Sequence, residues 1–139
     1  MSFTLDQRLA DSSHLVACVG GIQVRLADDS RYPWLILVPE QDKVVELHDL
    51  TNDQRNRLFT LASRLGNWMK TTFAADKINV ASLGNLVPQF HLHIVARRDG
   101  DAAWPGPIWG HANPTPRADA DKQEMMAAVA RCLVTDEIL

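Results

Sequence analysis

The sequence has few of the features that mark secreted, membrane-spanning or disulfide-rich proteins. It has two cysteines, Cys18 and Cys132, which lie far apart and outside any C-x-x-C context, so we expect reduced thiols and no disulfide framework. No apolar run approaches the roughly 18–20 residues that span a bilayer. The first residues show no basic segment followed by an apolar stretch. These absences predict a cytoplasmic protein with no membrane partner.

The sequence also lacks an excess of positive charge. A formal net charge of −3 argues against binding to the polyphosphate backbone of nucleic acids. The 139 residues, 46% of them hydrophobic and 22% charged, fit an ordinary globular protein that buries its own core. We therefore expect a single domain over residues 1–139 and no nucleic-acid partner.

Apolar and β-branched residues mark the predicted strands. Gly20-Gly21 separates two of them and is typical of a tight turn. A second turn, Gly84 to Pro88, precedes the last strand. Between residues 99 and 117 the many prolines and glycines predict an ordered but irregular loop. Strands are predicted over residues 14–20, 22–27, 34–38, 77–83 and 89–97.

Two long helices are predicted from capping signals and helical spacing. Thr51-Asn52-Asp53-Gln54 has the form of a capping box, and apolar residues recur at helical spacing as far as about residue 72. Acidic residues open a second helix over about 118–134, and residues 4–10 could begin a short one. This order predicts an α+β fold with a mainly antiparallel sheet, a central helix and a C-terminal helix. The sequence has no glycine-rich phosphate loop and no βαβ alternation.

The segment Gln89-Phe90-His91-Leu92-His93-Ile94-Val95 carries the strongest functional signal. Side chains alternate between the two faces of a β-strand. Gln89, His91 and His93 are therefore predicted to share one face, while the apolar residues between them enter a core. Two of the five histidines of the chain lie on this short stretch. Packing alone rarely requires such a pattern, which indicates a site.

Three kinds of site agree with this spacing. In the first, a neutral imidazole attacks phosphorus, with one ring nitrogen held by an acceptor such as a neighbouring backbone carbonyl. In the second, His-x-His supplies two zinc ligands, and further ligands come from elsewhere, with His14, His48 and His111 as candidates in principle. In the third, both imidazoles are hydrogen-bonded parts of the structure. The spacing alone leaves all three open.

With its flanking segments, this stretch resembles the signature of the histidine triad (HIT) superfamily, His-φ-His-φ-His-φ-φ, where φ is apolar. Gln89 stands at the first histidine, which makes the chain a divergent member. Residues 84–88 (GNLVP) resemble the family's lead-in, and residues 33–39 (PWLILVP) resemble its early strand ending in Pro. Residues 104–106 (WPG) resemble a Trp-Pro loop of one branch. The resemblance covers about residues 22–110 in the family's order.

This resemblance implies a HIT-like α+β fold, usually a homodimer that needs no cofactor. It implies a nucleotide hydrolase or nucleotidyl transferase acting at an α-phosphate, often of a dinucleoside polyphosphate or an AMP conjugate, through a covalent nucleotidyl-histidine. A slow or non-catalytic nucleotide-binding protein is the alternative, and a zinc-dependent site the lesser one. His91 would be the nucleophile and His93 its partner, with Gln89 as third member of the catalytic group. Substrate-binding roles would fall to Gly84, Asn85, Asn79, Asp28 and Trp104.

Three residues depart from the family pattern. Gln89 can form hydrogen bonds but cannot titrate, so an acid–base role is lost at that position. Leu86 stands where many members have Ser or Thr, and Trp34 stands where a histidine commonly lies beside the triad.

Arg97 shares the parity of the histidines, which makes it a candidate for a distal phosphate or for a salt bridge.

Overall fold

The computed structural model describes residues 3–135 of the chain. Its strands form a sheet in the order β1-β2-β3-β5-β4, and every neighbouring pair is antiparallel. The predicted α+β class, with a central and a C-terminal helix, is confirmed. The strands are β1 Ser13–Val19, β2 Ile22–Ala27, β3 Trp34–Pro39, β4 Lys77–Ala81 and β5 Leu92–Arg97. The helices are α1 Gln7–Ser12, α2 Asn52–Thr72 and α3 Asp119–Thr135, with a 3-10 helix at Leu47–Asp49.

The local signals at the first hairpin and the central helix act as predicted. Gly20 and Gly21 have φ angles of 56° and 77°, a left-handed conformation that a two-residue hairpin turn requires and that glycine adopts without strain. At the start of α2 the Thr51 hydroxyl accepts a hydrogen bond from Gln54 N–H, and the Gln54 side chain accepts one from Thr51 N–H. The hairpin turn and the start of α2 are therefore determined by nearby residues.

The first face of the sheet carries the main apolar core. Alternate residues of the central strands, such as Leu35, Leu37 and Ile94, are buried there against the apolar stripe of α2. The same cluster takes in Val129 and Cys132 from α3. Because α2 and α3 cover this face, the alternate residues that point the other way are left for a second layer.

Strand β5 begins later than the sequence predicts. The prediction starts the strand at Gln89, whereas the sheet ladder begins at Leu92, opposite Leu37. Just upstream, the Phe90 N–H donates to the carbonyl of Val44 at 3.0 Å. Val44 lies beyond the end of β3, so Phe90 bonds to a connecting segment instead of a strand. His91 therefore precedes β5, and His93 lies on it.

The second face of the sheet is covered by α1 and by the irregular segment between β5 and α3. Leu9 of α1 packs with Ile36 and Val38 of β3, and Ile108 of the irregular segment packs with Val95 of β5. A cavity remains between these two covers. No helix within residues 3–135 has the length and apolar character needed to cross a membrane.

Candidate active site

The cavity on the second face has a volume of about 400 Å³, which is in the range of small-molecule sites. Its walls are mostly apolar, with a few polar and charged groups among them. Most of its lining residues come from α1, the β2–β3 loop, β3, the turn that precedes β5, and the irregular segment. They include Leu9, Ser12, Ala27, Asp28, Asp29, Arg31, Trp34, Ile36, Gly84, Asn85, Leu86, Val87, His91, His93, Ile108 and Trp109.

His91 lines this cavity with its tautomer fixed by the backbone. Its Nδ1 lies 2.8 Å from the carbonyl oxygen of Gln89. A carbonyl only accepts hydrogen bonds, so Nδ1 of the neutral ring carries the proton and Nε2 keeps its lone pair. The side chain is only 6% exposed, which restricts its rotation. The orienting backbone carbonyl considered from the sequence is thus present, and it belongs to Gln89.

His93 is held by a different donor, the indole of Trp34. Trp34 Nε1–H donates to His93 Nδ1 at 3.0 Å, so Nδ1 is an acceptor and the proton of the neutral ring sits on Nε2. His93 is 6% exposed. Burial, with a smaller contribution from the neighbouring His91, lowers the pKa of His93 to about 3. His93 is therefore a neutral hydrogen-bond donor at physiological pH.

The two imidazoles belong to one aromatic cluster. The ring centroids of His91 and His93 are 4.8 Å apart at 77°, and Trp109 lies 5.2 Å from His93. Trp34 also contacts Trp109, with 6.4 Å between the ring centroids. The indoles of β3 and the irregular segment thus enclose His93, while His91 lies at the edge of the cluster. The ring positions follow from packing across three chain segments.

The β2–β3 loop places two carboxylates at the cavity. Asp28, predicted to bind a ribose, lines it, and Asp28 Oδ1 accepts a hydrogen bond from Arg117 N–H at 2.9 Å. Asp29 is 1% exposed and receives two hydrogen bonds from the Arg31 guanidinium, at 3.0 and 2.8 Å. Burial alone would raise the pKa of Asp29, but hydrogen bonds from Arg31 and the Thr115 N–H outweigh it, and the pKa is lowered.

The turn before β5 also lies at the cavity, as the sequence predicts. Gly84 and Asn85 both line it. Gly84 has a φ of 74°, a value that residues with a Cβ rarely adopt. Arg8 of α1 donates to the carbonyl of Leu86 at 2.8 Å and ties this turn to the neighbouring wall. Leu86 itself is 77% exposed.

Gln89 is not among the residues that line the cavity within the described chain. Its Oε1 accepts a hydrogen bond from Asp6 N–H at 2.8 Å, and its Nε2 donates to the carbonyl of Thr4 at 2.9 Å. The side chain therefore connects the triad segment to the residues before α1. Only its backbone carbonyl, which orients His91, takes part in the site.

Asn79 and Trp104 are held away from the cavity around Arg97. Arg97 Nη1 donates to Asn79 Oδ1 at 2.9 Å, and its guanidinium lies 5.6 Å from the Trp104 ring centroid. Arg97 is 1% exposed and makes a two-bond ion pair with Asp101 at 2.8 and 2.9 Å. Of the two roles considered for Arg97, the structure shows the salt bridge. Neither Asn79 nor Trp104 is among the residues that line the cavity in the described chain.

His91 and His93 are the histidines that line the cavity in the described part of the chain. Within residues 3–135, no three His, Cys, Asp or Glu side chains are grouped as metal ligands would be. Of the other histidines, His14 Nε2 lies 3.5 Å from Asp28 Oδ1 and His48 is exposed at the surface. His111 is exposed and offers its backbone carbonyl to Arg31.

Several residues of the site carry no signal in the sequence. Arg31 and Ser12 line the cavity, and no motif marks them as site residues. Trp34 was noted only as a departure from the family, although it is the hydrogen-bond partner of His93. Its signal would have been strand pairing, because Trp34 lies opposite Val95 in β3–β5, diagonal to His93. That pairing cannot be read from a single sequence.

Comparison with known proteins agrees with this geometry. The sequence model of the HIT domain matches residues 11–100, so the chain belongs to the HIT domain family. Proteins of this family generally act on nucleotides, often as hydrolases or transferases, although some members are non-catalytic. No curated protein matches the sequence.

Several solved structures are similar along almost the whole chain. A histidine triad protein from Marinobacter aquaeolei VT8 is 39% identical, with a TM-score of 0.94 over 97% of this chain and 98% of that one. One from Bradyrhizobium japonicum is 40% identical, with a TM-score of 0.91 over 94% and 98%. One from Sinorhizobium meliloti 1021 is 37% identical, with a TM-score of 0.90 over 93% and 96%.

Proposed function

We propose that the protein is a nucleotide hydrolase or nucleotidyl transferase that acts at an α-phosphate through a covalent nucleotidyl-His91. The observation that carries this proposal is the 2.8 Å contact between His91 Nδ1 and the Gln89 carbonyl. It leaves the Nε2 lone pair of His91 available at a cavity large enough for a nucleotide. When Nε2 bonds to phosphorus the ring becomes cationic, and the same carbonyl stabilises the Nδ1–H of that cation.

The other residues of the cavity suit the parts of a nucleotide. The apolar wall formed by Leu9, Ile36 and Val87 suits a base, and the Asp28 carboxylate suits ribose hydroxyls. Gly84 and Asn85 line the same cavity as the histidines, and backbone N–H groups and an amide at this turn suit non-bridging phosphate oxygens. Dinucleoside polyphosphates and AMP conjugates are the substrates proposed for this arrangement.

The test is intact-protein mass spectrometry after brief exposure to diadenosine tetraphosphate. We expect a mass increase of one adenylyl group in the wild type and none in His91→Ala. His48→Ala is the matched control, because His48 has an 83% exposed side chain on the 3-10 helix and should form the adduct normally. Equal release of AMP by wild type and His91→Ala would rule out His91 as nucleophile.

Two alternatives give different results in the same preparation. A non-catalytic nucleotide-binding protein would bind AMP in calorimetry but form no adduct with any substrate. A zinc-dependent site would contain stoichiometric zinc, and chelators would abolish its activity. Measuring bound metal and AMP affinity beside the adduct therefore separates all three readings.

We also propose a homodimer that forms through β4 and α2. Strand β4 is at the edge of the described sheet, where an unpaired strand favours addition of another strand. Phe59 and Val80, 44% and 49% exposed, line an apolar groove between α2 and β4. Light scattering should give twice the monomer mass for the wild type and a monomer for Val80→Asp. A monomeric wild type would contradict this part of the proposal.

A further inference from the structure

The residues around His93 restrict which leaving groups the site can release. We propose that the cavity accepts nucleotides whose leaving group departs as an oxyanion, such as the phosphate chain of a nucleoside polyphosphate, and discriminates against phosphoramidates, whose leaving group is an amine. This inference rests on the proposed function. It follows from which side chains at the cavity are able to donate a proton to a departing atom.

The contact between Trp34 and His93 excludes the first candidate acid. An indole nitrogen can only donate a hydrogen bond, and here it donates to His93 Nδ1 at 3.0 Å. A protonated His93 would carry hydrogen on both ring nitrogens, so two N–H groups would face each other across this contact. Trp34 thereby keeps His93 as a neutral ring. Its remaining N–H, on Nε2, suits a hydrogen bond to a phosphate oxygen but is a very poor acid.

The remaining polar residues at the cavity do not replace this acid. His91 is the nucleophile and needs its Nε2 unprotonated. Arg31 keeps its proton at all accessible pH values and is paired with Asp29, whose pKa that pairing helps to lower. Asp28 accepts a hydrogen bond from Arg117 N–H. The charged and titratable residues among the described lining of the cavity are these: Asp28, Asp29, Arg31, His91 and His93.

The two positions flanking the histidines add no acid. Gln89 is directed towards Thr4 and Asp6, and a carboxamide does not titrate. Leu86 has no hydroxyl. His111, exposed on the irregular segment between the lining residues Gly110 and Ala112, is the other imidazole of this segment and needs its own control.

The proposed step balances without an acid when the leaving atom is oxygen. The lone pair of His91 Nε2 forms the N–P bond, the P–O bond to the leaving group breaks, and its electron pair stays on the departing oxygen as a phosphate oxyanion. Water then attacks phosphorus, the N–P electron pair returns to Nε2, and the proton of water goes to solvent. An amine leaving group instead departs with its electron pair on nitrogen and needs a proton as the bond breaks.

The first experiment compares leaving groups on one nucleotidyl group. Diadenosine tetraphosphate and adenosine 5′-phosphoramidate present the same adenylyl moiety to His91. Because a positioned general acid contributes about 10²–10⁴-fold, we expect kcat/KM to be at least about 10²-fold higher for the polyphosphate. In a series of adenosine 5′-aryl phosphates, kcat/KM should rise steeply as the pKa of the leaving phenol falls.

The second experiment removes the donor that keeps His93 neutral. Trp34→Phe retains an aromatic ring but has no N–H, so His93 Nδ1 can take up a proton. Burial and His91 still lower the pKa of His93 in this variant, so we expect the phosphoramidate to gain relative to the polyphosphate only as the pH falls below the ordinary histidine value of about 6.5. Nitrogen-15 NMR should show a neutral Nε2–H tautomer for His93 at pH 5 in the wild type. On acidification, His93 of Trp34→Phe should become protonated at a higher pH than His93 of the wild type.

Two control variants accompany Trp34→Phe. Trp68→Phe alters a tryptophan of α2 that packs on Phe73, outside the cavity lining, and should leave the ratio between the two substrates unchanged. His111→Ala tests the remaining imidazole of the irregular segment. A phosphoramidate activity that depends on His111 would contradict the inference by supplying the missing acid.

The outcomes separate the inference from the function on which it rests. If wild-type protein forms the adduct and turns over both substrates equally fast, the inference is wrong and the proposed function stands. If neither substrate gives nucleotidyl-His91, the proposed function fails and the inference with it. If Trp34→Phe slows both substrates by one factor, with no new acidic limb and an unchanged His93 spectrum, the role assigned to Trp34 is wrong.

Discussion

The two ends of β5 place polar residues on the same face of the sheet and use them in opposite ways. At the end that lines the cavity, His91 and His93 each have one ring nitrogen in a hydrogen bond with the protein. The second ring nitrogen of each has no hydrogen-bond partner among the described residues. At the other end, Arg97 makes hydrogen bonds to Asp101, Asn79 and the Gly106 carbonyl. The first end retains hydrogen-bonding groups for a ligand, whereas the groups at the second end bond to other residues of the protein.

This difference shows why residue type and parity do not reveal function by themselves. Both Arg97 and His93 are almost fully buried, and both were site candidates from their shared parity. Burying a charge is tolerated when it is paired and hydrogen-bonded, and Arg97 meets that condition. Burial of His93 is tolerated because the ring stays neutral. The partners, more than the residues, separate a structural cluster from a reactive one.

The largest expected effect is at the cavity end, on catalysis. His91→Ala removes the proposed nucleophile, and such a loss typically costs about 10⁴-fold or more in turnover. The free energy of unfolding should change far less than the activation barrier. Steady-state hydrolysis of diadenosine tetraphosphate, measured beside denaturant unfolding, checks both. An active His91→Ala protein would show that the cavity end of β5 does not supply the nucleophile.

The next largest effect is at the opposite end, on stability. Arg97→Met leaves the partly buried Asp101 carboxylate without its ion-pair partner and should cost up to about 3 kcal/mol of unfolding free energy, the lower end of the range for breaking a buried pair. Arg98→Met, at an exposed neighbouring position, is the matched control and should cost little. Urea unfolding gives the difference. Turnover per folded Arg97→Met molecule should stay close to that of the wild type, and a specific loss of activity would assign Arg97 to the substrate after all.

A pH effect should sharpen the description of His93. Its pKa is about 3 in the folded protein against an ordinary histidine pKa of about 6.5, so the unfolded chain binds more protons between these values. Stability should therefore be full above about pH 6.5 and fall with decreasing pH, approaching about 1.4 kcal/mol per pH unit for this group. His93→Gln, whose Oε1 can still accept from Trp34, should show a flatter profile between pH 4.5 and about 6. If the unfolding free energies of the wild type and His93→Gln changed with pH in parallel, His93 would not be neutral in the folded protein.

The smallest expected effect is at Gln89. Restoring the family residue by Gln89→His breaks two hydrogen bonds to the segment before α1, at a cost of about 1–2 kcal/mol. It should not accelerate turnover, because the side chain at this position points away from the cavity and the orienting carbonyl is unchanged. Comparing kcat and unfolding free energy with the wild type checks this. A marked gain in kcat would show that residue 89 acts on the substrate through its side chain.

Much of the fold could be predicted because its signals are local. Gly20-Gly21 predicts a hairpin turn, since few other residues tolerate positive φ. Thr51 and Gln54 likewise predict the start of α2 from a local signal, because a capping box joins residues three positions apart. The sequence predicts too long a strand β5 because the alternation continues through Gln89, whereas the ladder depends on where β3 ends. The start of β5 is a property of pairing, which a single sequence does not contain.

The sequence by itself determined that two histidines lie on one face beside a Gly-Asn turn, that an antiparallel sheet packs against a central helix, and that the chain resembles HIT proteins. Spacing and capping suffice for these features because they act over a few residues. Only the tertiary structure decided which nitrogen of each histidine is protonated, since the Trp34 indole is far from His93 in sequence. It also decided that Arg97 stabilises the fold and that Gln89 contributes its carbonyl, because hydrogen-bond partners at that distance are chosen by strand pairing and packing.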